Sequence, residues 1–567
     1  MINKLKLSKI RTLIIAPILF LSIISLISYR LLDISLFNRQ IQSRLKEEIS
    51  KDMRTINSKR GNIIDRKGII MAESTEAFSL YANPKMMKDP EVFANIVSPI
   101  INMDEKEIVN IIKTHKNYFY WYIKRKISKS QKDSITKIRP SIGDYGFEED
   151  EKREYPKKDT ASMLIGYAGL DNQGLTGLEY SLNNYLTGEN GSKIVYHNFI
   201  GDNIPGSSTI YKNPRDGDSV TTTIDIDLQG VVETILDKHI YNWNAIGGVV
   251  IVMNPKTGEI LTMASKPSYD LNKWDKYVNN TSYFNRAVSM NYEPGSIFKP
   301  FIASAALEEG IITPLTLHEC TGTINVAGKT IRCVINHGGN QNLSDILRNS
   351  CNVSFVKIGL KLKDLIYKYA KRFNFGSIPP VEINSLEKGI LLKPQEWSAT
   401  TAATMSFGQG LSVTPLQIIL GYSAIVNDGI MMKPMIIKEI KDKKGTIKKV
   451  FEPEILKKVI SLETSREVKI ALKNVVQDKN GVSQAKISNL SIGGKTGTAN
   501  KIEYGEYVSY KNICSFVGFY PVEDPQYVIL VSIDEPDSSL GDVYGSTVAA
   551  PIFKEIVLWL ESHPLLK

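Results

Sequence analysis

The chain has 567 residues, of which 42% are hydrophobic and 23% charged, a balance that excludes a chain disordered or collagen-like throughout. At roughly 100–200 residues per domain, the length predicts about three units. The net charge of +10 and pI of about 9.0 would favour a nucleic-acid partner if the excess formed one surface, but four of those ten charges are Lys4, Lys6, Lys9 and Arg11.

The first predicted element is a membrane anchor over residues 12–29, which are uncharged and lie between Arg11 and Arg30. A bilayer core about 30 Å thick needs roughly 17–25 apolar residues in a helix. A cleavable signal peptide is the alternative, which is disfavoured because no Ala-x-Ala-like site follows. The basic start predicts that residues 1–11 form a cytoplasmic tail and that the chain after Arg30 lies outside.

Residues 30–225 are predicted to form a stalk followed by an α+β pedestal. The charged segment from Leu31 to Lys59 has helical spacing and predicts a helical stalk. Strand-like alternation follows from Arg60 to Gly68, and a charged helix is predicted around Asp104 to Lys116, with a loop at Gly201 to Ser208. No catalytic motif is evident in this region.

Residues 226–567 are predicted to form one mixed α/β (α+β) domain. Gly247–Met253 and Ile260–Ala264 predict a hairpin of buried strands. Near the other end, Tyr527–Ile533 predicts a further strand and Thr547–Leu560 an apolar helix. Strands at both ends with helices between them indicate a single layered domain.

The cysteines and histidines predict neither a disulfide scaffold nor a metal site. The chain has four cysteines, Cys320, Cys333, Cys351 and Cys514. Cys320 and Cys333 could form a disulfide outside the cytoplasm, and buried free thiols are an equal alternative. Since the sequence contains neither Cys-x-x-Cys nor His-x-x-x-His, it has no zinc signature, and we expect no metal and no cofactor.

The candidate nucleophile is Ser296, which precedes an apolar helix and lies three residues before Lys299. That spacing is nearly one helical turn, so both side chains share a face. A serine hydroxyl needs a base, and a lysine can serve only if its pKa falls from about 10.4 through burial or nearby positive charge. The S-x-x-K pattern alone is weak, because it also occurs at Ser43, Ser134, Ser354, Ser385 and Ser483.

Two downstream motifs select Ser296 among these matches. Ser350-Cys351-Asn352 comes next, and the segment Lys495-Thr496-Gly497-Thr498 follows it. The three motifs in this order resemble the S-x-x-K, S-x-N and K-T-G set of penicillin-binding proteins and serine β-lactamases. Cys351 departs from the usual pattern, in which the middle residue of the second motif is small.

A competing set and two other enzyme classes are disfavoured by the residues present. Ser134/Lys137, residues 181–183 and 256–258 also occur in order, but Ser134 lies in a polar stretch and residues 256–258 lie in a turn. A P-loop would need glycine where the chain has Asn489 or Thr323. No serine has the G-x-S-x-G context of α/β-hydrolases.

Further motifs narrow the resemblance to class B penicillin-binding proteins, closest to the division-specific transpeptidases. These are residues 60–66, RGNIIDR, and 174–179, GLTGLE, with the segments 407–410 and 413–417. No glycosyltransferase module fits between Arg30 and Gly247, and the E-x-x-L-N pattern of class A β-lactamases is absent between the second and third motifs. The resemblance implies a central antiparallel sheet flanked by helices.

The resemblance also implies a role for each motif residue. Ser296 is the nucleophile and Lys299 its base, while Ser350 relays a proton toward the leaving amine. Asn352 holds the substrate backbone. Backbone N–H groups of Ser296 and Thr498 form the oxyanion hole. The third motif binds the terminal carboxylate of the substrate through Lys495, Thr496 and Thr498, and Gly497 is a further substrate-binding residue.

The function implied is a peptidoglycan D,D-transpeptidase that cross-links stem peptides ending in D-Ala-D-Ala, for septal wall synthesis, and that β-lactams inhibit. Its implied partners are a membrane-embedded glycosyltransferase and other division proteins, bound through anchor and pedestal, with no nucleic acid. The implied location is the bacterial inner membrane, with a single pass. An elongation-type transpeptidase, a D,D-carboxypeptidase and a non-catalytic penicillin-binding sensor remain alternatives. Arg60, Asp65 and Arg66 are expected to be structural.

Overall fold

The structure is a computed structural model that describes residues 15, 17–35, 50–138, 144–197 and 208–564. The chain divides into two compact units, of which the first comprises residues 1–58 and 189–215 and the second residues 59–188 and 216–567. The predicted loop at 201–208 lies outside the described residues except for Ser208, as do residues 1–14 and 36–49.

The strands, in chain order, are β1 (Ser50–Ile56), β2 (Ile63–Ile64), β3 (Ile70–Ala82), β4 (Trp121–Ile127), β5 (Tyr145–Glu154), β6 (Gly191–His197), β7 (Thr209–Lys212), β8 (Ser219–Thr222), β9 (Gly247–Met253), β10 (Ile260–Lys266), β11 (His318–Glu319), β12 (Thr323–Val326), β13 (Lys329–Arg332), β14 (Asn340–Gln341), β15 (Ile430–Met432), β16 (Ile437–Lys441), β17 (Ile447–Val450), β18 (Ile455–Lys458), β19 (Gly493–Glu503), β20 (Glu506–Tyr520) and β21 (Tyr527–Asp534).

The α-helices, in chain order, are α1 (Pro17–Ser35), α2 (Pro90–Ile101), α3 (Glu105–Thr114), α4 (Lys129–Ile138), α5 (Ser162–Ile165), α6 (Gly177–Ser181), α7 (Asn183–Leu186), α8 (Ile226–Asn242), α9 (Arg286–Ser289), α10 (Lys299–Glu308), α11 (Leu343–Arg348), α12 (Asn352–Leu362), α13 (Leu365–Arg372), α14 (Thr401–Met405), α15 (Pro415–Val426), α16 (Leu462–Gln477), α17 (Gly545–Val548) and α18 (Ala550–Ser562). Short 3₁₀ helices span Leu271–Lys276, Gly295–Phe298, Pro394–Glu396 and Ser483–Ala485.

The first unit contains α1 and a three-stranded antiparallel sheet in the order β1-β6-β7. Helix α1 has a mean hydropathy of 1.8 over its most apolar stretch and is long enough to cross a membrane. It continues past the predicted end at Tyr29, and Arg30 pairs with Asp33 at 3.3 Å within it.

The predicted helical stalk is wrong at its C-terminal end, because Ser50–Ile56 forms strand β1. Its hydrogen-bonding partner is β6, in which Gly191 pairs with Ile56. Charged residues at helical spacing describe only local preference, whereas a strand depends on a partner. That partner lies far along the sequence, so the periodicity of residues 50–56 alone does not indicate that they form a strand.

The pedestal part of the second unit is built on a seven-stranded sheet in which β17, β16, β8, β2, β3 and β4 follow one another, while β5 also pairs with β3. Helices α2, α3 and α4 pack on β3 and β4 around Phe93, Val97 and Ile108. Asp104 caps α3, which confirms the charged helix predicted there. Since β16 pairs with β8, strands from both sides of residue 226 share this sheet.

The C-terminal part of the second unit contains a five-stranded antiparallel sheet in the order β10-β9-β21-β20-β19. Every residue of β9 is buried. Val249 and Ile251 face one apolar core, while Val250 and Val252 face another. A strand covered by helices on both faces is apolar throughout, which confirms the predicted hairpin and the central sheet flanked by helices.

Candidate active site

Ser296 and Lys299 lie where a 3₁₀ turn passes into α10. Ser296 belongs to the turn Gly295–Phe298, and Lys299 is the first residue of the helix. Gly295 has a φ of +56°, a left-handed conformation that glycine adopts without steric cost. The Lys299 Nζ lies 3.2 Å from the Ser296 Oγ, so the turn places the hydroxyl against the amine.

An aromatic core supports this turn from below. Phe301 packs against Phe298 and Phe375 with ring centroids 5.4 and 4.9 Å apart. The Tyr422 hydroxyl, from α15, donates a 2.8 Å hydrogen bond to the carbonyl of Ile297. Tyr422 is not predicted from the sequence, because a tyrosine in a continuous apolar run has the same pattern as any other core residue.

The second motif lies beside the first. Ser350 has a φ of +51°, an uncommon conformation for a residue with a side chain and one that occurs at functional sites. Its hydroxyl donates to the Ser296 Oγ at 2.9 Å. Lys299 Nζ donates to the Ser350 carbonyl at 2.6 Å and to Asn352 Oδ1 at 2.7 Å. The backbone and both polar side chains of the motif therefore converge on one amine.

The third motif lies on β19, an edge strand of the five-stranded sheet. The Lys495 Nζ is 3.2 Å from the Ser350 Oγ and 3.1 Å from the carbonyl of Thr496. The Ser350 hydroxyl is thus within hydrogen-bonding distance of three groups, Ser296 Oγ, Lys299 Nζ and Lys495 Nζ. The site is a connected polar chain that joins all three motifs.

Two glycines allow close contact around the nucleophile turn, Gly295–Phe298, which contains the candidate nucleophile Ser296. A Cβ at Gly497 would lie 2.9 Å from Ile297 Cγ2 and 3.1 Å from the Pro294 carbonyl. A Cβ at Gly408 would lie 2.1 Å from the carbonyl of Gly295. All three distances are too short for an ordinary contact, so β19 and the segment 407–410 can approach the turn this closely only because residues 497 and 408 are glycines.

Burial controls the charges of the two site lysines. Both side chains have 0% of their surface exposed. Burial lowers the pKa of Lys299 to about 7, so a large share of this amine is neutral near neutral pH. The pKa of Lys495 is lowered well below its ordinary value, mainly by burial and also by the charge of Lys299. An anionic substrate group beside Lys495 would favour its charged form.

Contacts at the rim of the site were also missed by sequence reasoning. Glu293 Oε1 accepts a 2.7 Å hydrogen bond from the backbone N–H of Gly410, and the Tyr507 hydroxyl donates to Glu293 Oε2 at 3.0 Å. The Asn352 Nδ2 donates to the carbonyl of Arg332 at 2.9 Å. The only available signal for Glu293 was its position three residues before Ser296.

The pedestal motifs form buried ion pairs. The Arg60 Nε is 2.6 Å from Glu179 Oε2, and the Arg153 Nε is 2.6 Å from Glu179 Oε1. Asp65 accepts from the backbone N–H of Ile226 at 3.3 Å, at the start of α8. Arg66 Nη2 lies 3.8 Å from Glu259 Oε2, in the turn between β9 and β10. These contacts confirm the expected structural roles of Arg60, Asp65 and Arg66.

The competing serine motif is excluded by its surroundings. Ser134 is exposed within α4 of the pedestal, and residues 256–258 lie in the turn between β9 and β10.

Two family models match this chain. Residues 248–558 match the model described as the penicillin-binding protein transpeptidase domain, which spans more than half of the chain. Residues 55–222 match the model described as the penicillin-binding protein dimerisation domain. The chain belongs to the class B penicillin-binding proteins. It is therefore a serine-type transpeptidase of the penicillin-binding protein fold, with a dimerisation domain before the transpeptidase domain.

Relatives and solved structures agree with this assignment. Stage V sporulation protein D of Bacillus subtilis is 34% identical over 552 residues, which cover 95% of this chain and 84% of that protein. Peptidoglycan D,D-transpeptidase FtsI of Buchnera aphidicola is 32% identical over 514 residues, which cover 88% and 86%. The structure of penicillin-binding protein 2X from Streptococcus thermophilus superimposes with a TM-score of 0.73 at 26% identity, covering 90% of this chain and 80% of that one.

Proposed function

We propose that this penicillin-binding protein cross-links peptidoglycan stem peptides through an acyl-enzyme on Ser296. The Ser296 Oγ attacks the carbonyl of the penultimate D-Ala, the terminal D-Ala leaves, and an amine of a neighbouring stem peptide takes up the acyl group. The observation that carries the proposal is the contact of the Ser296 Oγ with both the Lys299 Nζ, at 3.2 Å, and the Ser350 Oγ, at 2.9 Å.

The proton route follows from these contacts. Neutral Lys299 accepts the proton of Ser296 during attack. The Ser350 hydroxyl then passes a proton toward the leaving amine, since it contacts the Lys299 Nζ at 3.0 Å and the Lys495 Nζ at 3.2 Å. The acceptor amine then attacks the acyl-enzyme and loses a proton. A proton returns to the Ser296 Oγ along the same route and regenerates the nucleophile.

The remaining motif residues orient the substrate. Lys495, Thr496 and Thr498 bind its terminal carboxylate, and Asn352 binds its backbone. Backbone N–H groups of Ser296 and Thr498 stabilise the oxyanion, where loss of one donor typically costs about 10²–10³ in rate. Gly497 permits the contact between β19 and the nucleophile turn.

A labelled penicillin tests the nucleophile. Purified full-length chain should be labelled covalently, and Ser296→Ala should not. Ser134→Ala is the matched control, because it removes an exposed serine with the same Lys spacing. Label retained by the Ser296→Ala variant would exclude Ser296 as the acylated residue.

We propose septal wall synthesis as the cellular role, supported by the FtsI name of one relative. The sporulation protein among the relatives favours a second candidate, wall synthesis during spore formation. The position of a tagged chain in dividing and in sporulating cells separates the two. Release of free D-Ala without cross-linked product would instead indicate a D,D-carboxypeptidase.

The topology, partners and domain limits are proposed on the same basis. Residues 1–11 lie in the cytoplasm, residues 12–29 form the anchor, residues 30–225 form the stalk and pedestal, and the catalytic domain, residues 226–567, lies outside the inner membrane. An apolar helix of spanning length supports the anchor. A membrane-embedded glycosyltransferase and other division proteins bind through the anchor and pedestal.

A further inference from the structure

Three of the four cysteines come together beside the second motif. Cys320, Cys333 and Cys351 form a cluster with His337, in which the sulfur atoms and a ring nitrogen all lie within 4.8 Å of one another. Cys320 directly follows β11 and Cys333 directly follows β13. His337 lies in the loop before β14, and Cys351 directly precedes α12. We propose that they bind one zinc ion.

Three distances within the cluster match those of a tetrahedral site, and the other three are no longer than 4.8 Å. Zinc–sulfur bonds of about 2.3 Å at the tetrahedral angle separate two sulfurs by about 3.8 Å, and a sulfur from a ring nitrogen by about 3.6 Å. The Sγ atoms of Cys320 and Cys333 are 3.8 Å apart, and those of Cys333 and Cys351 are 3.7 Å apart. The His337 Nδ1 is 3.7 Å from the Cys320 Sγ.

These distances do not describe a disulfide. A disulfide joins sulfurs about 2.05 Å apart, and all three thiols are free. Cys333 is nearly equidistant from Cys320 and Cys351, so one bridge would leave the third sulfur in contact with it. A shared ion accommodates all three at once.

The surroundings favour thiolate ligands. Cys320 and Cys351 are buried. Backbone N–H groups at the start of α12 donate to the sulfurs, from Val353 to Cys333 at 3.4 Å and from Ser354 to Cys351 at 3.4 Å. Such donors orient metal ligands and stabilise their negative charge. Each thiol that binds releases its proton to solvent.

Zinc is the ion that fits this donor set. Three thiolates and one imidazole match a structural Cys₃His site, and soft sulfur ligands disfavour magnesium and calcium. Four protein ligands close the coordination sphere, so the ion has no position for substrate or water. The site is therefore structural rather than hydrolytic.

The consequence for the active site rests on the proposed function. Cys351 lies between Ser350 and Asn352, and the Asn352 Nδ2 donates to the carbonyl of Arg332, the residue before Cys333. Zinc would thus join the two segments that hold the second motif against Lys299. We expect the metal to position Ser350 and Asn352 without contacting substrate.

Metal analysis of the purified full-length chain in detergent tests the site. We expect about one zinc ion per chain by mass spectrometry, and its loss in Cys333→Ser and His337→Ala. Cys514→Ser is the matched control, because Cys514 is a buried cysteine in β20 outside the cluster, and it should retain the ion. If the variants fail to fold, chelation of the wild-type chain and titration with zinc alone measure the same stoichiometry.

Two results would overturn the metal site. One is a wild-type chain that binds no more zinc than Cys333→Ser after exposure to excess zinc. The other is a Cys320–Cys333 disulfide in the intact mass of the metal-free chain as purified.

Penicillin labelling tests the positioning role separately. Chelation should lower the rate of labelling at least about tenfold, a loss of about 1.4 kcal/mol of transition-state stabilisation, and added zinc should restore it. Unchanged labelling after complete zinc removal would exclude the positioning role. A chain that binds zinc but is never labelled would count against the proposed function and leave the metal site standing.

Discussion

Lys299 illustrates how burial changes the chemistry of a single residue. Its amine has no exposed surface, and its hydrogen-bonding atoms come from Ser296, Ser350 and Asn352, with no carboxylate among them. The charged form therefore loses hydration with no carboxylate beside it, and burial lowers its pKa to about 7 although the Cys351 and Cys333 thiols act in the opposite direction. A lysine that would be fully protonated in water becomes available as a base.

The acylation rate should depend on the fraction of the Lys299 amine that is neutral. Because neutral Lys299 accepts the proton of Ser296, the rate should rise as the pH increases through about 7 and should be lower at pH values below 7. The second-order rate of penicillin labelling, measured on both sides of that pH, tests this. A rate independent of pH across this range would show that Lys299 is not the base.

Replacing the amine by a permanent cation is a second test at this scale. Lys299→Arg should reduce labelling to background, because a guanidinium stays protonated in proteins. Lys388→Arg is the matched control, since Lys388 is exposed and also follows a serine by three residues. Labelling of Lys299→Arg at the wild-type rate would contradict the assignment.

At the scale of elements, the site depends on how closely β19 approaches the nucleophile turn. The sheet brings an edge strand to the start of α10, and Gly497 lies at the point of contact. A displacement of about 1 Å can cost about 10²-fold in rate, so the packing of these two elements bears directly on catalysis.

Gly497→Ala should therefore reduce penicillin labelling by about 10²-fold while the fold is retained. The added methyl would lie 2.9 Å from Ile297 Cγ2 and would displace the turn. Gly230→Ala is the control, because its Cβ would meet only Thr160 Cγ2 at 4.0 Å. Equal labelling rates in the two variants would show that the contact is not needed.

The buried ion pairs of the pedestal also act between elements. Glu179→Ala would leave Arg60 and Arg153 without their carboxylate partner, and breaking a buried pair this way costs about 3–5 kcal/mol. Urea unfolding measures the loss. Glu189→Ala, which removes a mostly exposed carboxylate, should change stability by no more than about 1 kcal/mol. A similar effect of both variants would refute this account.

At the scale of the whole molecule, α1 is apolar and long enough to span a membrane. The apolar side chains of α1 are exposed along its length. A helix with such a surface is stable in lipid but not in water. The proposed catalytic residues all lie in the second compact unit and α1 lies in the first, so the proposed anchor and the proposed chemistry belong to different parts of the chain.

Charges in the anchor should release the chain from the membrane. Ile24→Lys with Ile27→Lys places two charges at about +2.5–3.5 kcal/mol each near the helix centre. The fraction of chain in the membrane pellet after an alkaline carbonate wash should fall, whereas Ile24→Ala with Ile27→Ala should remain in the pellet. Equal retention of both variants would show that α1 does not hold the chain in the membrane.

The sequence by itself determined the ordered motifs at Ser296, Ser350 and Lys495, the family that they indicate, and the apolar strand at Gly247–Met253. These are local patterns, and local chemistry or periodicity is enough to read them. It could not determine that Ser50–Ile56 is a strand, because its partner lies far away in the chain.

Only the tertiary structure decided what depends on distances between remote segments. The low pKa of Lys299 arises from burial by several elements. The restriction at Gly497 arises from a turn two hundred residues earlier. The zinc ligands proposed at Cys320, Cys333, His337 and Cys351 have no recognisable spacing in sequence, because the fold of four separate segments brings their side chains together.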